Sequence, residues 1–340
     1  MSLPMTTPLD VAVLGATGLA GEAFLAALGD SPLEIANLQA FGGAARSPRV
    51  DAVTFRGASY PVESAARLVD ARPAVVVSCL PSKAANALLP GLARRGCFVV
   101  DVGNAAAGAL DAPLVWPIAL DGLPDAALTA GAARIPSPIG AALASLLAPV
   151  PSSARPSRIV GAAMLPATRA GRAACDELGQ QAIASFTQTD PQRLHWPEGL
   201  AFDLLPEDTP EEEWSLAERL AADEVAAIAR LDAAHVAVSV GTVPLFSGMT
   251  LALTFGGSDV EGLAAAWRGA DGLSEITRLE RLRPRARVGK SAVAWGRLRP
   301  DPAGDGAHVW VVADPLALVA SGAVTLLQRL VEARAVGGST

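Results

Sequence analysis

Asp10-Val-Ala-Val-Leu-Gly15-Ala-Thr-Gly18-Leu-Ala-Gly21 is the stretch whose reading decides the fold. The apolar run Val11 to Leu14 predicts a buried strand, Gly15 supplies a tight turn, and the apolar character resumes beyond it with helical spacing. A helix opens near Thr17. Its first N–H groups and the positive end of its dipole face the same way, which makes an anion cradle. Gly15, Thr17, Gly18, Leu19, Ala20 and Gly21 are therefore candidate ligands of a dinucleotide phosphate. The spacing is G-x-x-G-x-x-G rather than the commoner G-x-G-x-x-G, and its weight comes from standing at the first strand of an α/β pattern. A glycine-rich turn with no ligand is the plainer alternative, and it leaves open a protein with no cofactor at all.

Working outward, Ile35 to Phe41 predicts the second strand. A cofactor without a 2′-phosphate is held by an acidic residue at the end of that strand, and none is present. Arg46 and Ser47 follow instead, a cation and a hydroxyl suited to a 2′-phosphate, which favours NADP over NAD. Ala74 to Ser82 predicts a buried strand ending in a small polar turn, so Ser78 and Ser82 are placed to line the cofactor site, with Cys79 either facing it or acting as a structural thiol. Cys97 to Asp101 predicts the next strand. Ser137-Pro138 has the form of a helix start, with Ser137 as N-cap and Pro138 at the first helical position, where its missing N–H costs nothing.

From about Arg158 strands alternate with long helices and loops. A chain of 340 residues is long for one core, and the pattern predicts an α/β fold with two domains: residues 1–134, completed by a C-terminal helix 318–340, and residues 135–317. Hydrophobic residues make up 51% and charged residues 18%, a globular composition. A net charge of -7 without a basic cluster argues against nucleic acid and an anionic membrane surface. Cys79, Cys97 and Cys175 are odd in number and lie in apolar stretches, which points to reduced thiols in the cytoplasm. Between Asp232 and Asp259 only His235 could carry charge, yet Gly241, Pro244 and Gly248 divide the stretch into two buried strands rather than a membrane span. His195, His235 and His308 read as loop or strand residues, and no metal cluster is expected.

Several pieces occur in one order: Gly15-Ala-Thr-Gly-Leu-Ala-Gly21, Asp176-Glu-Leu178, Ala201-Phe-Asp-Leu-Leu-Pro206, Glu211-Glu-Glu-Trp214, Asp223-Glu-Val225, Val243-Pro-Leu-Phe-Ser-Gly248 and Val311-Val-Ala-Asp314. The set resembles the aspartate-semialdehyde dehydrogenase family across nearly the whole chain. That resemblance implies a Rossmann-like dinucleotide-binding domain followed by an α+β dimerisation domain with an open mixed sheet, the sheet forming the subunit interface of a homodimer. The apolar stretch Val236 to Phe255 agrees with such an interface.

The resemblance also implies a chemistry of amino-acid biosynthesis. A cysteine at a helix N-terminus attacks the aldehyde, a histidine is acid and base, hydride passes to NADP, and phosphate releases an acyl phosphate. Carried over position by position, the reacting groups are missing. Pro138 stands at the nucleophile, Met249 at the histidine, Thr242 at the substrate-carboxylate arginine, Leu165 at the orienting glutamine, and about Ala107 at the phosphate-binding arginine. Glu224 matches the carboxylate for the substrate amine. Thiol, base and anion support act as a unit, and losing one commonly costs several powers of ten in rate. The leading reading is a non-catalytic NADP-binding homodimer, a catalytically degenerate branch with an unidentified regulatory partner. Two alternatives stand beside it: an NADP-dependent aldehyde oxidoreductase with altered chemistry, through Cys79 or by direct hydride transfer without a thioester, and a true aspartate-semialdehyde dehydrogenase using Cys175.

Overall fold

The computed structural model describes residues 8–42, 51–71, 73–102, 110–120, 122–207, 213–229, 231 and 235–337. The chain divides into two compact units, Met1–Ser137 with Val319–Thr340, and Pro138–Leu318.

The first unit is built on β1 (Leu9–Leu14), followed by α1 (Leu19–Gly29), β2 (Ile35–Phe41), β3 (Ala52–Phe55), β4 (Ala58–Glu63), α2 (Leu68–Ala71), β5 (Val75–Ser78), α3 (Ser82–Ala93), β6 (Phe98–Asp101), α4 (Asp125–Ala130) and β7 (Ala132–Arg134). The strands order as β3-β4-β2-β1-β5-β6-β7, parallel except for the β3–β4 hairpin. A central parallel strand is covered on both faces, which explains why β1 is an unbroken apolar run, with Val11 to Leu14 at most 1% exposed. The chain goes from β1 to β2 on one side, and β5 later pairs on the other. The sheet's switch point thus falls between β1 and β5, where ligands of doubly wound sheets bind. The hairpin turn also serves α1: Arg56, at φ +46°, sends its guanidinium to the carbonyls of Leu28 and Gly29 at the helix end and of Ser31 and Leu33 in the turn beyond it.

The second unit comprises α5 (Pro138–Leu147), β8 (Arg158–Leu165), α6 (Arg172–Thr187), β9 (Leu205–Pro206), α7 (Leu216–Ala229), β10 (Val236–Thr242), β11 (Met249–Gly256), α8 (Val260–Trp267), β12 (Leu273–Glu275), β13 (Val293–Pro300) and β14 (Gly306–Ala313). Its sheet orders as β12-β13-β14-β11-β8-β10-β9, with β8–β10 and β12–β13 parallel and the other pairs antiparallel. The expected open mixed sheet is present. Alternation decides its inner face: Val236, Val238 and Val240, with Leu251, Leu253 and Phe255, are buried. Trp267 on α8 packs edge-on against Phe255 and Trp295, with ring centroids 5.7 and 5.2 Å apart.

One expectation changes here. The large apolar residues of Val236 to Phe255 lie in this core, apart from the half-buried Val243 and Leu245 and the exposed Phe246, so the stretch supplies little of the exposed apolar surface expected of it. Solvent instead meets Ile183, Phe186, Phe202, Leu204 and Phe246. Val236 to Phe255 forms two strands, β10 and β11, as expected. Among the described residues one helix is long and apolar enough by length and composition to cross a membrane, α9 (Pro315–Gly337), with mean hydropathy 1.4 over Pro315–Arg334. Its Ala323, Leu326, Leu327 and Leu330 are fully buried, and a Cβ on Gly322 would come 2.2 Å from the Trp116 ring, so the helix is a core element of the first unit.

Candidate functional site

The glycine stretch closes into a cradle held by backbone alone. Gly15 takes φ +75°, and its N–H and that of Ala16 donate to Phe41 O at 2.9 and 3.1 Å. The Gly18 N–H returns to Gly15 O at 3.0 Å, and α1 starts from Gly18 in extended conformation. A Cβ on Gly15 would stand 3.0 Å from Cys79 O, and one on Gly21 only 2.3 Å from Gly15 O. These two glycines are consequently required by close backbone packing. Gly18 is different: it is exposed, its φ of -81° suits any residue, and a Cβ would meet only Gly15 O at 3.3 Å. An α-helix leaves its first N–H groups without intrahelical acceptors, and here those of Leu19, Ala20 and Gly21 open beside Gly18, with Thr17, Leu19 and Ala20 half-exposed. The cradle therefore fits a pyrophosphate on chemical and steric grounds.

The other expected cofactor contacts divide. Arg46 and Ser47 lie outside the described residues, as does Ala107. Ser82 opens α3. Ser78 is fully buried, its Oγ accepting the Leu80 N–H at 3.5 Å, so its side chain serves the turn and offers no surface to a ligand. Cys79 N–H bonds Leu14 O at 2.9 Å, which seats the thiol at the switch point. Burial, reinforced by the charge of Asp101, pushes that thiol up to about 12. It stays protonated at neutral pH, which argues against Cys79 as a nucleophile.

In the second unit, Pro138 is the first residue of α5, where the missing N–H matches an orphan position. Gly140, one turn in, is buried against α7: a Cβ there would come 2.0 Å from Glu224 Oε2 and 3.0 Å from Glu224 Cβ. Glu224 is 2% exposed. Its carboxylate thus lies on the first turn of α5, where the helix dipole favours negative charge. Cys175 sits in the first turn of α6, half-buried; burial and Asp176 raise its thiol, against the opposing charge of Arg172.

Leu165, Thr242 and Met249 are brought to one end of the second sheet. Leu165 and Thr242 pair directly at the ends of β8 and β10, and Met249 begins β11, whose Thr250 pairs with Met164. Met249 is fully buried and Thr242 is 3% exposed. Neither side chain carries a titratable group.

Sequence reasoning missed a hydroxyl–imidazole–carboxylate chain: Thr254 Oγ1 lies 2.7 Å from His308 Nδ1, and His308 Nε2 lies 3.2 Å from Asp301 Oδ1. Thr254 is mid-strand, with β14 on one side and β8 on the other. Its neighbouring N–H groups are committed to the ladders, leaving no donors for an oxyanion. The chain therefore ties β11 to the β13–β14 turn. Thr254 facing His308 in register is a signal visible only once the strands are paired. Among the described residues no group of three or more His, Cys, Asp or Glu is placed to hold a metal.

A glycine cradle on a doubly wound sheet, followed by a mixed-sheet domain, is the architecture of the semialdehyde dehydrogenases. The family model described as semialdehyde dehydrogenase, NAD binding domain, matches residues 10–119, and that described as semialdehyde dehydrogenase, dimerisation domain, matches residues 147–318. Aspartate-semialdehyde dehydrogenase of Rickettsia bellii (strain RML369-C) is 26% identical over 324 residues, covering 92% of this chain and 94% of its own. That of Rickettsia conorii (strain ATCC VR-613 / Malish 7) is 25% identical over 326 residues, with the same coverage. The crystal structure of aspartate semialdehyde dehydrogenase II from Vibrio cholerae shares the fold with a TM-score of 0.86 at 22% identity, covering 96% of this chain and 99% of that one. The structure of aspartate semialdehyde dehydrogenase with NADP from Candida albicans has a TM-score of 0.64 at 18% identity, covering 95% and 98%. The chain belongs to the semialdehyde dehydrogenase family.

Proposed function

We propose that this protein is a dinucleotide-binding homodimer that lacks the thioester chemistry of its family. The start of α5 carries that reading. A nucleophilic thiolate at a helix N-terminus needs a cysteine there and the positive field of the helix. Here the first residue is Pro138, and the buried Glu224 carboxylate already lies on the field at Gly140. The described alternatives, Cys79 and Cys175, are both held towards the protonated form. Three free thiols are consistent with a cytoplasmic location.

A bound nicotinamide dinucleotide would supply a hydride acceptor. The chain's part is to hold its pyrophosphate on the N–H groups of Leu19 to Gly21, with Gly18 allowing close approach. Arg46 and Ser47 support NADP over NAD by their chemistry. Calorimetric titration is expected to show NADP binding with weaker NAD binding, and an absorbance assay with aspartate semialdehyde and phosphate to show NADP reduction at least several powers of ten slower than that of an active relative. Turnover near that of active relatives, or an acyl adduct trapped on Cys175 or Cys79, would refute the non-catalytic reading. An oxidoreductase working by direct hydride transfer would appear in the same assay as NADP reduction without phosphate.

The homodimer draws support from α6. Gly179, Ile183 and Phe186 share one helix face; Phe246 lies over Gly179, and Phe186 stacks edge-on with Phe202 at 5.8 Å. Phe186 is 79% exposed and Phe202 68%. An apolar stripe of this extent on a domain whose family model is a dimerisation domain marks the surface for a second copy. Phe186→Glu is expected to shift the protein from dimer to monomer at micromolar concentration, read by light scattering after size exclusion. An unchanged dimer mass would place the interface elsewhere.

A further inference from the structure

The apolar stripe on α6 has ends of opposite charge. At one end Phe246 lies over Gly179, and two residues further along the chain Gly248 packs on a turn before β13, where a Cβ on it would stand 2.6 Å from Pro284 O. Arg283 and Arg285 flank that proline, and both are exposed. They belong to a run that the overall charge of -7 conceals: Arg278, Arg281, Arg283, Arg285 and Lys290 are exposed, against one exposed carboxylate, Glu280. Among the described residues none of these cations is in an ion pair. Arg172 and Asp176 at the start of α6 are both exposed and offset one another, so this end of the stripe stays positive.

The other end is acidic. From Gly179 to Phe186 the stripe runs two helical turns, about 10 Å. Beyond Phe186 a recess of about 230 Å³ opens, its wall including Ser185, Thr189, Asp190, Arg193, Glu198 and Asp203. Three carboxylates against one guanidinium leave it negative, and α6 ends beside it at Thr187, adding the negative end of a 16-residue helix dipole. Asp203 is engaged locally, its Oδ1 accepting the Leu204 N–H at 2.7 Å, whereas Asp190 and Glu198 are exposed and in no ion pair among the described residues. Carboxylates and hydroxyls around such a recess suit a guanidinium, whose planar fork meets two oxygens at once. The two ends lie further apart than the screening length of about 8 Å at physiological salt, so they act as separate surfaces. A two-fold axis across the middle of the stripe lays each end on the opposite end of a second copy, and every match is made twice. Stripes set parallel would bring like charges together, which costs affinity.

We propose that two copies of this chain pair antiparallel along the α6 stripe, with Arg283 and Arg285 of each copy entering the acidic recess of the other. The inference rests on the homodimer reading of α6, and adds to it the orientation and the charged residues that select a second copy over other apolar partners.

The test is sedimentation velocity of the full-length protein at micromolar concentration. Arg283→Glu with Arg285→Glu sets like charges together at both contacts and is expected to weaken the dimer about 100-fold or more, as is Asp190→Arg with Glu198→Arg from the other side. An equimolar mixture of these two variants restores both complementary contacts, so the dimer mass is expected to return, a rescue that a misfolded variant could not give. Arg283→Gln with Arg285→Gln removes charge without reversing it, and about a 10-fold loss is expected; the wild-type dimer should weaken about 3-fold to 10-fold between about 50 and 500 mM sodium chloride. Charge variants as dimeric as the wild type, or a mixture that stays monomeric, would overturn the pairing, while a monomeric Phe186→Glu would still uphold the stripe as the interface. A dimeric Phe186→Glu would remove the stripe itself, and this pairing with it.

Discussion

Glu177→Ala is expected to lower stability by about 2–4 kcal/mol in urea unfolding, since one buried and two part-buried backbone donors lose a charged acceptor together. Glu177 projects from α6 and is 6% exposed. Its Oε2 accepts the N–H groups of Leu194 and His195 at 2.9 and 2.8 Å, and its Oε1 accepts that of Trp196 at 2.9 Å. One turn on, Gln181 Oε1 accepts from Leu200 and Ala201 at 2.7 and 3.2 Å, and Trp196 Nε1 donates to Ala174 O at 3.0 Å. These contacts tie the segment before β9 to α6, and with it the exposed Phe202. Burial alone would push the Glu177 carboxyl up. The backbone donors of His195, Trp196 and Leu194, with the charge of His195, outweigh that and hold it below its ordinary value of 4.5. A lowered folded value means the stabilisation is present above about pH 4.5 and is lost as pH falls through the folded value. Glu177→Gln should accordingly be less stable than wild type at neutral pH, with the gap closing as the solution is acidified below about pH 4.5. A gap independent of pH would show that the charge is not what holds the segment.

Gly21→Val is expected to destabilise the first unit by about 3–5 kcal/mol and to remove NADP binding with it, because the new Cβ meets backbone that cannot move aside. Gly15 O would be 2.3 Å away and Ala16 Cα 2.8 Å. Gly18→Val separates the two effects. Gly18 is exposed at an ordinary φ, with one tight contact to Gly15 O at 3.3 Å, so the melting temperature should fall far less than for Gly21→Val, while the side chain fills the approach to the Leu19–Gly21 N–H groups. Calorimetry should show NADP affinity reduced about 10-fold or more, by analogy with the loss of charge-assisted phosphate contacts. Unimpaired NADP binding by Gly18→Val would remove the cradle from the cofactor site.

The first sheet was largely legible from local pattern. The strand Ile35–Phe41 has the bounds that its apolar run predicts, and β1, β5 and β6 are short continuous apolar segments because helices or neighbouring strands cover both faces. Other elements escaped that reading for identifiable reasons. β9 and β12 are two and three residues long, too short for a period to show. The apolar stretch Val236 to Phe255 looked like spare surface. Only the pairing of β10 and β11 on either side of β8 showed that most of its large side chains alternate into the core, while the exposed Ile183, Phe186 and Phe202 lie on α6 and the loop after it.

At the candidate site, residue identity was readable and partnership was not. By itself the sequence determined that a glycine turn follows the first strand, that Pro138 opens a helix, and that positions 138, 242 and 249 carry no thiol, guanidinium or imidazole. Each of those facts depends on one residue type and the few beside it. Tertiary structure alone decided that the Glu224 carboxylate rests on Gly140, that Glu177 gathers the N–H groups of Leu194 to Trp196, and that Pro284, between Arg283 and Arg285, packs on Gly248. Such contacts depend on strand register and helix rotation. A shift of one residue in a strand would send the side chain to the other face of the sheet, so their geometry does not exist until the whole unit is folded.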